Sequence, residues 1–104
     1  MEAVHQGMIL KLERPEMDIL VLSKDFFNAS GLVIACPVLK DAIGDALHIE
    51  VTAQGYSGVA CLENLKSIDI RKRHYEIKGE LSLIQIQNLS DAVQGIFDYY
   101  PHSF

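Results

Sequence analysis

The sequence predicts a small, strongly bent β-sheet or barrel with one C-terminal helix packed against it. Three observations predict this mainly β class. The 104 residues leave room for one core only, and hydrophobic residues make up 49% of them. Short apolar runs bounded by turn residues recur as far as Gly79, and the apolar spacing then changes to that of a helix. We therefore expect a single domain over residues 1–104.

The middle of the sheet is predicted within residues 18–38. Residues 19–22 and 32–38 are runs of aliphatic and β-branched side chains, which are typical of buried strands. The segment Asp25–Asn28 between them is too short for an ordinary helix and predicts one tight turn. Two adjacent buried strands joined by a short excursion are therefore expected.

Shorter strands are predicted on both sides of this pair. Met8–Leu12 is expected to be the first strand, and a turn follows at 13–16, where Pro15 has no N–H to donate. Residues 46–52 alternate between apolar and polar side chains, which predicts a half-buried strand with His48 on its exposed side. The remaining predicted elements are a turn at 54–58, a strand over 59–71, a charged turn at 71–74 and a strand at 75–78.

The C-terminal segment predicts one amphipathic helix. Ser82 and Gln85 have the spacing of a capping box at a helix start. Apolar residues then recur every three or four positions, which gives one apolar stripe, and Pro101 ends the pattern. The stripe consists of Ile86, Leu89, Val93, Ile96 and Tyr100.

Charge and hydropathy exclude some classes of function. The formal net charge of −5 disfavours general, non-specific binding of nucleic acid, although five of the nine Lys and Arg residues lie within 66–78. No apolar stretch is long enough to span a bilayer, and the first residues lack the pattern of a secretion signal. We expect a cytoplasmic protein without membrane contact.

The two cysteines predict small core residues. Cys36 and Cys61 both lie within apolar runs, which favours reduced, buried thiols over a redox or metal-binding role. No metal-ligand spacing, phosphate-binding Gly-rich loop or nucleophile elbow is visible. We therefore expect no metal and no cofactor.

Three ordered blocks of the sequence are distinctive: VLSKDFFNASGLVIACPV (21–38), GVACLENLKSIDIRKR (58–73) and KGELS (78–82). They resemble the MazF/PemK toxin family, and the resemblance extends over about residues 7–98. It implies an SH3-like small β-barrel of the MazF/PemK/CcdB type that forms a homodimer. It also implies a toxin of a toxin–antitoxin pair that cuts single-stranded RNA without a metal and is inhibited by an antitoxin protein or peptide.

The sequence departs from the family at two positions that metal-free RNA cleavage requires. Metal-free RNA cleavage requires a base, an acid and a cation that stabilises the phosphorane. In the family an Arg-Pro pair that opens the second strand supplies the cation, and a Thr or Ser after the third strand supplies a hydroxyl. Here Met17-Asp18 and Leu39 stand at those positions, and Glu63-Asn64 replaces the family's Asp-Gln pair.

Two functional hypotheses follow from this mismatch. In the first, the chain is a degenerate or catalytically impaired copy that binds an antitoxin-like protein or peptide. In the second, it is an endoribonuclease with a displaced catalytic set formed by Arg14, Glu63 and His48. Each of these residues also has a simpler interpretation, as an exposed turn arginine, a structural acid and a solvent-facing histidine respectively.

A third, weaker hypothesis is plain nucleic-acid binding through the cationic cluster at 66–78, with single-stranded RNA among the expected partners. The cations expected to contact the RNA backbone are Lys66, Arg71, Lys72 and Arg73, although a charged hairpin turn is also an ordinary solvated tip. Tyr56, next to Gly55, has the side chain to stack on a base. Its simpler interpretation is an aromatic ring that packs on its own barrel.

Overall fold

A computed structural model describes residues 3–97 and shows seven strands among them. The strands are β1 (Met8–Leu12), β2 (Met17–Val21), β3 (Leu32–Leu39), β4 (His48–Ala53), β5 (Tyr56–Cys61), β6 (Lys66–Asp69) and β7 (Tyr75–Glu80). One turn of helix, α1 (Asp25–Asn28), connects β2 to β3, and the long helix α2 (Leu83–Phe97) follows β7. The predicted mainly β class with a C-terminal helix is confirmed, as is the turn at Asp25–Asn28.

The strands form one curled antiparallel sheet in the order β4-β5-β3-β2-β1-β7. The additional strand β6 pairs with β3 on the same edge as β5. The two ends of the sheet approach each other where the Gln54 side chain bonds β7. Its Oε1 accepts a hydrogen bond from the Glu80 N–H at 2.8 Å, and its Nε2 donates to the Glu80 carbonyl at 3.3 Å. This contact curls the sheet towards a barrel.

Strand β3 changes its partner partway along one edge. Ala35 is level with Lys66 of β6, whereas Val38 is level with Ala60 of β5. Between these positions β3 has two residues, 36 and 37, and the opposite chain has five, 61–65. Five extended residues cannot fit in the length of two, so the chain leaves the sheet as a 3₁₀ turn at Leu62–Asn64, here called the 62–64 turn. The prediction of one continuous strand over 59–71 is therefore wrong.

Apolar side chains fill both faces of the central strands. Because successive residues point to opposite faces, β1 and β2 divide their side chains between two buried clusters. Ile9 and Leu20 join the first cluster, towards α2, while Leu10 and Ile19 join the second. This burial on both sides explains why β1, β2 and β3 have nearly continuous apolar sequences.

Helix α2 is fixed to the sheet by a cap and an apolar stripe. The Ser82 Oγ accepts a hydrogen bond from the Gln85 N–H at 3.3 Å, as the capping-box spacing predicted. The Gln85 amide also reaches β4, where it donates to the Thr52 carbonyl at 3.0 Å and accepts from the Thr52 N–H at 3.1 Å. Tyr100 and Pro101, the predicted end of the helix, lie outside the described residues.

Leu89 is the central contact of α2 with the sheet. It is buried in the first apolar cluster, beside the partly buried Ile86 and Val93. Three residues of the predicted stripe, Ile86, Leu89 and Val93, thus pack against the protein's own sheet, whereas Ile96 is exposed.

Neither helix between residues 3 and 97 is long and apolar enough to cross a bilayer.

We predict that Leu89→Ala lowers the free energy of unfolding by about 2–5 kcal/mol, because it leaves a cavity under α2. Urea denaturation followed by circular dichroism measures the change. Ile84→Ala is the matched control, since Ile84 lies on the same helix but is 69% exposed. Its effect is expected to stay within about 0.5 kcal/mol. Equal losses in the two variants would contradict the packing described here.

Candidate functional site

The first region of interest lies where β2 begins and β3 ends. These strands are antiparallel, so Met17 at the start of β2 and Leu39 at the end of β3 lie at the same end of the pair. The Tyr56 hydroxyl donates a hydrogen bond of 2.6 Å to the Asp18 carboxylate at this end. The Lys40 Nζ lies 4.7 Å from the centre of the Tyr56 ring. An acid–phenol pair therefore lies beside Met17, the residue that stands where the family resemblance implies an arginine.

Tyr56 is a core residue. Its side chain is buried in the first apolar cluster, so the expectation that it packs on its own barrel is confirmed. Burial is the main cause that raises the pKa of the Tyr56 hydroxyl, and the hydrogen bond to Asp18 and the charge of that carboxylate act in the same direction. The phenol consequently stays protonated and keeps donating to Asp18.

A second cluster surrounds His48 at the opposite end of the β4–β5 hairpin. The His48 Nε2 lies 2.5 Å from a Glu63 carboxylate oxygen, and its Nδ1 lies 2.9 Å from Asp45 Oδ2. The other Asp45 carboxylate oxygen accepts hydrogen bonds from the backbone N–H groups of Leu47 and His48 at 2.9 and 3.0 Å. This turn explains why β4 begins at His48, two residues later than predicted.

The two carboxylates act on the charge of His48. The hydrogen bond with Asp45 is the main cause that raises the pKa of His48 above its ordinary value of 6.5, and the charges of Asp45 and Glu63 act in the same direction. The pKa of Asp45 is lowered, chiefly by the Leu47 N–H and next by His48. The structure thus brings two of the three predicted catalytic residues, His48 and Glu63, into contact.

Cys61 completes the group of ligand-type side chains here. Cys61 is the Cα partner of His48 in the β4–β5 ladder, so the two side chains share one face of the hairpin. Ligand atoms of His48, Cys61 and Glu63 lie within 4.8 Å of one another. Both cysteines are buried and free, as predicted, and burial raises the pKa of the Cys61 thiol and raises that of Cys36 to about 12.

Arg14, the third predicted catalytic residue, lies elsewhere. It is exposed in the turn between β1 and β2, with a positive φ of 58°. The backbone N–H of the preceding Glu13 bonds the His74 carbonyl, which ties this turn to β7 and not to the His48 cluster. Among the described hydrogen bonds and ion pairs, none joins Arg14 to His48 or Glu63. Its catalytic role stays a prediction.

The four predicted RNA-binding cations divide into two groups. Arg71 makes a two-pronged ion pair with Asp69, through Nε at 3.0 Å and Nη2 at 2.9 Å. Lys66, Lys72 and Arg73 line a shallow surface hollow that Asp69 also lines. One of the four is therefore engaged by a carboxylate, and the others share their surface with that acid.

Comparison with known proteins decides the family. The model of the PemK-like, MazF-like toxin of type II toxin–antitoxin systems matches residues 13–97. The chain belongs to this toxin family. Both the resemblance and the fold class predicted from the sequence are confirmed. A search of curated proteins finds no match.

Solved structures share the fold over nearly the whole described chain. A MazE–MazF complex from Deinococcus radiodurans is 28% identical, with a TM-score of 0.78, and the match covers 92% of this chain and 97% of that one. MazF alone from the same organism is 25% identical, with a TM-score of 0.80 and coverages of 93% and 98%. A mycobacterial endoribonuclease in complex with its cognate antitoxin shares the fold at 12% identity, with a TM-score of 0.79 and coverages of 95% and 100%.

Sequence reasoning missed one residue of these clusters, Asp45, and two of their contacts. Asp45 could have been found, because an acid three residues before His48 at the start of a strand is a common turn-forming pattern. The contacts Asp18–Tyr56 and Cys61–His48 join distant segments and depend on strand register, which no local signal gives. The sequence showed which amino-acid types were available for the sites, but it did not show which of them lie in contact.

We predict that Arg71→Gln raises the pKa of Asp69 from about 2 towards its ordinary value of 3.8, because the Arg71 hydrogen bond is the main cause of the lowered value. An NMR titration of the side-chain carboxyl carbons measures it. Lys72→Gln is the matched control, since it removes a neighbouring charge that acts only weakly on Asp69. Equal pKa rises in the two variants would show that Arg71 is not held by Asp69.

Proposed function

We propose that this MazF/PemK-family protein acts mainly by binding an antitoxin-like protein or peptide, and that its ribonuclease activity is impaired. The observation that carries the proposal is the Asp18–Tyr56 hydrogen bond where β2 begins and β3 ends. The family resemblance implies a cation and a hydroxyl there. The chain instead has Met17, Asp18 and Leu39, and the acid is fixed in place by a buried tyrosine.

Electrostatics explains why this replacement impairs cleavage. The phosphorane formed during RNA cleavage gains negative charge, and stabilising that charge is the largest single contribution to such catalysis. An arginine provides a planar pair of donors that matches two phosphate oxygens. The Asp18 carboxylate, held by Tyr56, repels the same phosphate. Lys40 lies over the Tyr56 ring and offers only one exposed, screened charge there.

Exposed apolar side chains support binding of a protein partner. Leu39 and Ile43 follow each other along the end of β3 and the next loop, and both are exposed. Leu83 and Ile84 at the start of α2 and Phe97 at its end are exposed as well. Exposed apolar side chains that lie together, as Leu83 and Ile84 do at the start of α2, mark a surface that a partner covers. In this proposal an antitoxin-like chain covers part of this surface, and a second copy of the protein covers another part. The complex forms in the cytoplasm.

A second candidate function is a metal-free endoribonuclease with a displaced catalytic set. The direct contact between His48 and Glu63 favours it, because an imidazole and a carboxylate within hydrogen-bond distance can exchange a proton. Within residues 3–97 no lysine or arginine forms an ion pair with His48 or Glu63, and Arg14 lies in the β1–β2 turn. The candidate therefore requires single-stranded RNA to bring the scissile phosphate between distant groups.

The test of impaired cleavage introduces the arginine, proline and hydroxyl residues that the family resemblance implies. Purified wild type and the triple variant Met17→Arg, Asp18→Pro, Leu39→Thr are incubated with a long single-stranded RNA in EDTA, and cut ends are mapped. We expect defined cuts from the triple variant and none from the wild type. The matched control is Met17→Gln, Asp18→Pro, Leu39→Val, which has similar shapes without the guanidinium and the hydroxyl and should not cut.

Two outcomes contradict the proposal. Defined cuts by the wild type that disappear in Glu63→Gln would establish the displaced catalytic set instead. A second experiment tests partner binding. The protein is co-expressed with the protein encoded beside it, and the purified mixture is analysed by size-exclusion chromatography with light scattering. A stable complex is expected, and two separate proteins at micromolar concentration would contradict partner binding.

A further inference from the structure

His48, Cys61 and Glu63 come from three different structural positions and meet at one point. His48 begins β4, Cys61 ends β5, and Glu63 lies in the 62–64 turn. Their ligand atoms, one nitrogen, one sulfur and one oxygen, lie within 4.8 Å of one another. Zinc bound tetrahedrally to such ligands would hold neighbouring donor atoms roughly 3.4 Å apart. Only small side-chain adjustments separate the present positions from that geometry.

The backbone fixes this arrangement. His48 and Cys61 are directly opposite in an antiparallel ladder, which holds their Cβ atoms on the same face about 5 Å apart. The N–H of Leu62 donates a hydrogen bond of 2.9 Å to the Leu47 carbonyl, so the first residue of the 62–64 turn is tied to the residue before His48. Glu63 follows at once. The three ligand side chains are therefore held close together by the backbone before a metal binds.

Asp45 supplies a second, independent observation. Metal-binding histidines usually bond a carboxylate through the ring nitrogen that does not face the metal, and this partner fixes the orientation of the ring. The His48 Nδ1 bonds Asp45 at 2.9 Å, which leaves Nε2 on the side of Glu63. Asp45 is itself held by two backbone N–H groups. The histidine is thus oriented as a ligand before any ion binds.

We propose that His48 Nε2, Cys61 Sγ and the Glu63 carboxylate bind a divalent transition metal of borderline softness, represented by Zn²⁺, with Asp45 as the positioning residue. Thiolate and imidazole ligands favour such ions over Mg²⁺ and Ca²⁺, which prefer sets of oxygen atoms. Three protein ligands leave one coordination position for water. The proposal is independent of partner binding and does not require ribonuclease activity.

A bound ion would have two consequences for this protein. It would link the start of β4 to the 62–64 turn, the point where the chain leaves the sheet between β5 and β6. It would also occupy the atoms through which His48 and Glu63 contact each other. Any proton transfer between these two groups would then stop, so the metal would inhibit a ribonuclease that used them.

The test measures metal binding by untagged, metal-free protein. Zn²⁺ is titrated in competition with a coloured chelator, and Co²⁺ is titrated while its absorption spectrum is recorded. We expect one ion per chain and a thiolate-to-cobalt charge-transfer band. Cys61→Ser should abolish that band, whereas Cys36→Ser, which changes the other buried cysteine, should keep it. Mg²⁺ should not compete.

Two further variants keep the test decisive if Cys61→Ser does not fold. Glu63 and Asp45 are exposed, so Glu63→Gln and Asp45→Asn leave the core unchanged. Both should weaken Zn²⁺ binding, the second by about 10–100-fold, as is typical of a lost carboxylate partner. Unchanged affinity in both variants, a band that survives in Cys61→Ser, or no binding with metal in large excess would overturn the proposal.

Discussion

The structure depends on one strand having two successive partners on the same edge. Strand β3 pairs with β6 through Leu32–Ala35 and with β5 through Val38 and Leu39. The connection between β5 and β6 must therefore leave the sheet beside Cys36 and Pro37. Proline, which has no N–H, is tolerated where the ladder is interrupted in this way. The 62–64 turn, and with it the position of Glu63, is a consequence of this exchange.

The two candidate sites lie at opposite ends of the β4–β5 hairpin, and the one around His48 depends on this exchange. At one, the turn brings Glu63 and Cys61 to His48, and the loop before β4 adds Asp45. At the other, the end of β3 meets the start of β2, where the Tyr56 hydroxyl donates a hydrogen bond to Asp18. The family barrel is kept, while an uncharged Met17 stands at the position of the family arginine and the acid Asp18 stands next to it. The proposed preference for binding over phosphate chemistry rests on this combination.

Much of the fold was predictable because local patterns determine it. Met8–Leu12 and the start of α2 follow from alternation, turn residues and a cap, and all act within a few residues. The break at the 62–64 turn was not predictable. The apolar alternation continues past it, and only the pairing with β3 interrupts the strand. His48 and Glu63 were predicted individually from their chemistry, but their contact, like that of Tyr56 with Asp18, depends on register between distant segments.

The most direct measurement of the central claim is the affinity for single-stranded RNA, by fluorescence anisotropy at two salt concentrations, in wild type and Asp18→Asn. If Asp18 opposes phosphate at the start of β2, the wild type binds weakly with little salt dependence. Neutralising the acid then strengthens binding and steepens its salt dependence. Tight, steeply salt-dependent binding by the wild type that Asp18→Asn leaves unchanged would contradict the account.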